Sequence, residues 1–456
     1  VIGKKYIFHS EVGRVLQFRL VWLDAVGRAD QYSPIGLSLG RRVAFKFVHT
    51  ADIHLDSPLK SLALRDPGLA ELVGNASRSC LSRIVDLCIS EQVQALVIAG
   101  DLYDGGQTSM KTARFLVQEL ERLSAAEIPT YLIRGNHDAA SKITRELVLP
   151  AAVKVFSGRA EAVETRWNNH AIAVHGISFR LPHAPESLLD HFSAPVAGAF
   201  NIGLLHTSLG GASGHDPYAP CTLADLQHTG FDYWALGHIH KRAVHAGPTT
   251  VVMPGIPQGR DIGEDGQKSV TLVSVADDGA VDLIQKPLAT AQFERLPVPC
   301  HDIADWGDLV TALTQSLKTA RREHDAEHLI VRPMLQGNSP LAWRAHRDAD
   351  LLREQAQSVA EQIGTLWIDK VEIGLQSGEN TRPAGALGEM AALVSAGSLR
   401  VDDPRVVAEL DLITKHLPKE LRGLMGDSET EVSRALEQAM QEGAIHLLAR
   451  LEENES

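Results

Sequence analysis

Residues 128–140 read IPTYLIRGNHDAA, an apolar run that stops at Arg134 and is followed at once by Asn136, His137 and Asp138. Taken alone, RGNHD fits two readings: an ordinary Gly–Asn reversal, or an amide, an imidazole and a carboxylate set at the lip of a sheet. The neighbouring text decides between them. FKFVHT (45–50) and QALVIAG (94–100) are further strand-like runs, and each is followed within two residues by an aspartate. SRSCLSRIVDLCISE (77–91) and SMKTARFLVQELERLSA (109–125) carry apolar residues at helical spacing. Strands apolar throughout and separated by helices indicate βαβ units with both sheet faces covered.

Beyond residue 170 the long helices disappear. AIAVHGI, FNIGLLHT, FDYWALGH, TTVVMPG and SVTLVSV read as the strands of a second sheet packed on the first, completing a domain over 43–290. Residues 291–376 form a small α+β domain: AQFERLPV, HLIVRPMLQG and LWIDKVEIGLQ are three strands, with helical text at 302–322 and 348–364. A Gly/Pro-rich linker (377–385) leads to a helical region, 386–456. Residues 1–42 begin with Val, lack strand patterning and are read as a non-native or disordered extension.

The bulk composition limits the classes. The chain has 456 residues, 44% of them hydrophobic and 22% charged, as in an ordinary globular protein of two or three domains. A net charge of −13 argues against a wholly nucleic-acid-covering surface but leaves room for a local basic groove. Four scattered cysteines suit neither a disulfide framework nor a CxxC metal site, which favours the cytoplasm. No apolar run reaches about 18 residues, so no membrane span is expected.

The polar residues at strand ends are chemically coherent. HTADIHLD supplies Asp52 and His54, which an extended chain would place on one face. GDLYD supplies Asp101, GNHD supplies Asn136 and His137, GLLHTS supplies His206, and LGHIHK supplies His238 and His240. Ligands collect at the C-terminal ends of strands in α/β sheets. Carboxylate, amide and imidazole donors without thiolates suit two divalent ions such as Mn²⁺, Fe²⁺ or Zn²⁺, a pair that serves phosphoester hydrolysis. Each of these motifs is weak singly; it is the ordered series that carries the reading.

The series resembles that of the calcineurin-like metallophosphoesterases, over roughly residues 45–290. FVHTADIHLDSPL, GDLYD and LGHIHKR followed by PGIPQGRDIGE look like the bacterial DNA-repair exonucleases of the SbcD/YhaO-like group. The resemblance implies a two-sheet metallophosphoesterase sandwich, with 291–376 as a capping domain. It implies that Asp52, His54, Asp101 and His240 hold one metal, and that Asp101, Asn136, His206 and His238 hold the other, with Mn²⁺ expected. His137 would contact phosphate and assist the leaving group, and Asp138 would hydrogen-bond His137 and orient it. The implied substrate is DNA and the implied partner an SMC-like coiled-coil ATPase docked on the C-terminal helices. Homodimerisation through the phosphoesterase domain also follows from the resemblance. Asp104 replaces a histidine found in archaeal and eukaryotic relatives, and either assists near the leaving group or supports its neighbours.

Other residues have two readings each. Arg260 is a candidate phosphate contact or the partner of Asp261 or Glu264, and His175 a candidate for lining the cleft. Trp343, Arg344, Arg347 and Arg353 could lie along DNA or form a solvated helix face. His49 reads as packed or supporting; His183, His215, His228 and His245 read as loop residues. The rival functions are a small-molecule phosphodiesterase or phosphoprotein phosphatase with the same metals, and a non-catalytic scaffold, which would show eroded ligands.

Overall fold

The computed structural model describes residues 42–57, 67–104, 109–140, 147–210 and 218–376, with short helical pieces between 389 and 444. The expectations for the N-terminal extension, the linker and nearly all of the C-terminal helical region, with its ATPase docking, lie outside the described residues.

In chain order the first strands and helices are β1 (Val43–Thr50), α1 (Pro67–Ser90), β2 (Ala95–Ala99), α2 (Met110–Ala125), β3 (Thr130–Ile133), α3 (Asn136–Ala140) and β4 (Val153–Val155). There follow β5 (Glu161–Trp167), β6 (His170–Gly176), β7 (Phe200–His206), α4 (Leu223–His228), β8 (Tyr233–Gly237), β9 (Ala243–His245) and β10 (Thr250–Met253). Two long strands, β11 (Ser269–Ala276) and β12 (Val281–Pro287), complete the phosphoesterase-like part.

The fold is α/β: two six-stranded mixed sheets, ordered β12-β11-β1-β2-β3-β4 and β5-β6-β7-β8-β10-β9, lie face to face. The strict period of two in the central strands explains the packing. Phe45, Phe47, Val97, Tyr131 and Ile133 point toward Trp167, Ile172, Val174, Leu204 and Tyr233 of the second sheet. The alternate residues Val48, Leu96, Ile98 and Leu132 point the other way, onto Leu81, Ile84, Leu116 and Leu120 of α1 and α2. Both faces are therefore buried, which is why these strands read as continuous apolar runs.

One expected strand changes sheets. SVTLVSV forms β11, which pairs antiparallel with β1 (Val48 opposite Leu272) instead of joining the second sheet. It satisfies the free backbone edge of β1, more than 200 residues earlier in the chain, and nothing in its local composition announces that partner.

The last described domain contains β13 (Ala291–Pro299), α5 (Trp306–Glu323), β14 (His328–Asn338), α6 (Ala342–Arg347), α7 (Ala349–Ile363), β15 (Leu366–Ile368) and β16 (Glu372–Gln376). LWIDKVEIGLQ is thus two strands, each running parallel to β14. The break falls at Asp369, whose amide donates to the Val331 carbonyl at 2.9 Å while its carboxylate, with Glu372, holds Arg332. Leu69, Val73, Ile262, Phe293 and Ile330 form a small core that joins this domain to the sandwich. Buried Gln258 fastens the crossing: its side-chain oxygen accepts from Thr290 N and its amide donates to Ala291 O. Among the described residues, no helix is long and apolar enough to cross a membrane.

Candidate metal centre

The C-terminal ends of β1, β2, β3, β7 and β8 converge, and two of the crossings demand glycine. A Cβ at Gly237 would lie 2.0 Å from the Ala99 carbonyl, and one at Gly135 would lie 2.2 Å from Asp101 Oδ1. These are the glycines of LGHIH and GNHD.

The loops after β1 and β2 run side by side, with the amides of Asp52, His54 and Leu55 donating to the carbonyls of Gly100, Asp101 and Leu102. Their backbone is not extended. Asp52, His54, Asp56, Asp101 and His238 have φ of 52°, 43°, 56°, 50° and 100°. The one-face argument from the D-x-H spacing is therefore replaced by kinks, each costing about 1–3 kcal/mol and held by the surrounding structure. Asp56 shows how: Arg78 and Thr112 grip its carboxylate, and its amide donates to Ser77 Oγ at 3.1 Å.

The side chains gather around the Asp101 carboxylate. His206 Nε2 lies 3.3 Å from Asp101 Oδ2 and 3.1 Å from Asn136 Oδ1. On the other side His54 Nε2 lies 4.0 Å from the same Oδ2 and 3.1 Å from His240 Nε2, which is 3.9 Å from Asp52 Oδ1. His238 joins through its ring, 5.1 Å from that of His206 between centroids, and its amide donates to both Asp52 oxygens at 3.1 and 2.9 Å.

The donor set fits divalent cations. Asp52 and Asp101 are buried, and among the described residues no Lys or Arg pairs with either. Uncompensated carboxylates in such a place are costly. His206 Nδ1 faces the Ala99 carbonyl at 2.9 Å and His240 Nδ1 faces Glu264 Oε1 at 2.7 Å. Donation to these acceptors leaves both Nε2 lone pairs turned inward, with the outer partner fixing each ring. Burial pushes the His54 and His238 pKa values down to about 3, so both rings are neutral and able to ligate. Burial alone would raise the Asp101 carboxyl; without metal, a His206 ring held protonated by Asp101 overrides it and keeps the group below the ordinary range, and a bound cation would take the place of that proton.

His137 stands at the rim, 39% exposed, with its ring edge-on to His54 at 4.9 Å. Its Nδ1 meets Asp104 Oδ1 at 2.9 Å, and Asp104 Oδ2 accepts from Ser57 Oγ at 2.7 Å. This corrects the role given to Asp138. The Asp138 carboxylate instead accepts from the backbone amides of Leu102, Tyr103 and Gly135 at 3.2, 3.0 and 3.1 Å, clasping two loops together. Orientation of His137 falls to Asp104, which places Asp104 in a supporting position.

Arg260 is also corrected. Its guanidinium pairs with Glu264, with Nη2 2.6 Å from Oε1 and 3.3 Å from His240 Nδ1, so the salt bridge is the arrangement seen; Asp261 caps the next turn by accepting from Gly263 N. His175 does not line the cleft: it is buried, bonded to Asn201 at 3.0 Å and packed on Phe231 beneath the second sheet. His49 is packed as read, against the Tyr233 hydroxyl. His228 bonds the Ala224 carbonyl of its own helix, His215 lies outside the described residues, and His183 and His245 lie on a loop and on β9. In the last domain Arg344 and Arg347 meet Asp348, Arg353 meets Asp350 and Glu354, and Arg344 covers Trp306, so that helix face is internally paired. Trp343 is half-buried beside them, with an indole nitrogen that is enclosed rather than presented to a strand of DNA.

Glu264 escaped the sequence reading except as a partner for Arg260. It sits 24 residues beyond His240, at the end of a short 3₁₀ turn (Ile262–Glu264), and only the R-x-x-x-E spacing hints at it. Substituting Glu264→Gln is expected to weaken Mn²⁺ binding by about 10–100-fold, as loss of an outer carboxylate on a ligating histidine does. Calorimetric titration checks it; unchanged affinity would remove Glu264 from the centre.

Residues 45–242 match the calcineurin-like phosphoesterase family, and residues 293–376 match the middle domain of metallophosphoesterase YhaO. The chain is 30% identical over 319 residues to the uncharacterized metallophosphoesterase YhaO of Bacillus subtilis, covering 69% of this chain and 77% of that protein. It is 27% identical over 204 residues to the DNA double-strand break repair protein Mre11 of Sulfurisphaera tokodaii, covering 44% of this chain. The Mre11 of Methanocaldococcus jannaschii is likewise 27% identical over 206 residues, covering 43% of this chain. The chain spans about half the length of these two, 50% and 51%.

Proposed function

The chain belongs to the calcineurin-like metallophosphoesterases, with YhaO among its relatives, and we propose that this dimetal phosphoesterase is a DNA nuclease acting in DNA repair. The observation that carries the reading is the position of Asp101, whose Oδ2 faces the His54 group on one side and the His206 group on the other. Asp52, His54, Asp101 and His240 would hold one ion, and Asp101, Asn136, His206 and His238 the second; Mn²⁺ is the proposed metal. Bound there, such a pair supplies an acidified water and charge to polarise a phosphate. The protein's own contribution is placement. Asp104, itself held by Ser57, takes the His137 Nδ1, and the other ring nitrogen is the one that would donate a proton to a departing sugar oxygen.

The 27% identity to Mre11 chains supports DNA as the substrate class, and the YhaO-type middle domain supports a cap over the centre. We extend the reading to an SMC-like coiled-coil ATPase partner and a homodimer, both from resemblance. Four buried, unpaired cysteines support work in the reducing cytoplasm. The test is degradation of end-labelled single- and double-stranded oligonucleotides by the full chain with Mn²⁺, beside bis(p-nitrophenyl) phosphate and a phosphopeptide. Cleavage of DNA is expected. Hydrolysis of the small ester or the phosphopeptide with DNA left intact would turn the assignment to a small-molecule phosphodiesterase or phosphatase.

A further inference from the structure

Beside the metal centre lies a cleft of about 580 Å³ formed by the turns after β4 and β6, within the usual size range of ligand sites. Its apolar lining includes Phe179, Leu181 and Pro185; its rim carries Arg159, Arg180 and His183, with Glu186 as the rim carboxylate. Leu181 is 66% exposed, a large apolar side chain left open at the mouth.

The rim of this cleft carries two arginines that are not spent on carboxylates. Arg78, Arg122, Arg260 and Arg332 each meet a carboxylate. Among the described residues, neither Arg159 nor Arg180 does; Arg180 spends only its Nε, on the Gly158 carbonyl at 2.7 Å. In a chain of net charge −13, two guanidinium groups against one carboxylate, Glu186, give this rim a local excess of positive charge.

The cleft also abuts the ligands. Phe179 packs edge-on against His206 at 5.6 Å, and its amide donates to the Arg134 carbonyl, one residue before GNHD. His183 faces Tyr218 at 6.1 Å, and Tyr218 faces His238 at 5.0 Å. Two paths of ring contacts, one through Phe179 and one through His183 and Tyr218, therefore lead from the cleft wall to two proposed metal ligands.

We propose that this cleft receives a nucleotide of the DNA strand flanking the scissile bond. Arg159 and Arg180 take its phosphate, and Leu181, Pro185 and His183 take the flat face of its base. The site reads no sequence, since a guanidinium on phosphate and an apolar face on a base accept any nucleotide. This inference rests on the nuclease reading.

The test compares the wild-type full chain with Arg159→Glu/Arg180→Glu, and with Arg180→Ala as a milder variant. Three quantities are read: anisotropy of a labelled single-stranded oligonucleotide, the KM and salt dependence of its cleavage, and hydrolysis of bis(p-nitrophenyl) phosphate. The double variant should raise Kd and KM for the oligonucleotide by about tenfold or more and flatten the log–log salt slope by about one, as loss of phosphate contacts does. Ester hydrolysis should stay within about twofold, which also shows that the centre is folded. Normal ester hydrolysis with unchanged oligonucleotide KM and salt slope overturns the cleft while leaving the nuclease intact. An equal fall in both substrates, repeated in Arg180→Ala, also overturns it. A wild-type protein that cleaves the ester and not DNA overturns the nuclease reading, and the inference falls with it.

Discussion

Asp101→Asn is expected to reduce hydrolysis of both DNA and a small bis-ester by at least about a thousandfold, equivalent to about 4 kcal/mol of barrier. The reason is geometric. Asp101 Oδ2 is 3.3 Å from His206 Nε2 and 4.0 Å from His54 Nε2, while its Oδ1 is pinned by the His137 amide at 3.0 Å. A carboxylate so fixed offers charge and lone pairs to both sides at once. Asparagine keeps the shape but supplies one carbonyl oxygen, no charge, and an NH₂ that repels a cation. Calorimetric Mn²⁺ titration should therefore show a stoichiometry of one or less instead of two, with circular dichroism unchanged. Two bound ions and a rate within about tenfold of wild type would mean that Asp101 does not join the two halves.

The same residue shows what the sequence makes legible. Asp101, Asn136, His206 and His238 were readable because each follows a buried strand, and a strand that is apolar on both faces announces its own end. Less legible were the backbone conformation at these strand ends and the partners far along the chain. Asp52 and His54 share a site through two left-handed residues, not through the alternation of an extended chain, and left-handed aspartate or histidine leaves no mark in composition. Asp138 adjoins His137 in sequence, yet the short helix at Asn136–Ala140 turns its carboxylate onto the amides of Leu102 and Tyr103, reached from another strand. His175 ends its strand facing the wrong side of the sheet, where Asn201 satisfies it. Glu264 and β11 are cases of one kind: each is defined by a partner far along the chain, so only the folded backbone shows what it touches.

His137→Ala is expected to separate the two substrates. The His137 ring is held by Asp104 at 2.9 Å, and Asp104 in turn by Ser57, so the imidazole is aimed without being buried among the proposed ligands. Burial lowers its proton affinity, but the hydrogen bond to Asp104 and the charges of Asp101 and Asp104 outweigh burial and raise it. A ring so placed is suited to give a proton to an oxygen that leaves poorly. Removal of a general acid costs about 10²–10⁴ in rate, and DNA cleavage, which expels a sugar alkoxide, should lose that much. Hydrolysis of bis(p-nitrophenyl) phosphate expels a stable phenolate that needs no proton, so it should lose less than about tenfold. Mn²⁺ stoichiometry should be unchanged, because His137 is not among the proposed ligands and its backbone amide, which the substitution keeps, still holds Asp101 Oδ1. Asp104→Asn, which keeps the hydrogen bond and loses the charge, should shift DNA cleavage in the same direction by a smaller factor. Equal losses on both substrates would instead assign His137 to phosphate binding, since a contact to the phosphate oxygens serves a good and a poor leaving group alike.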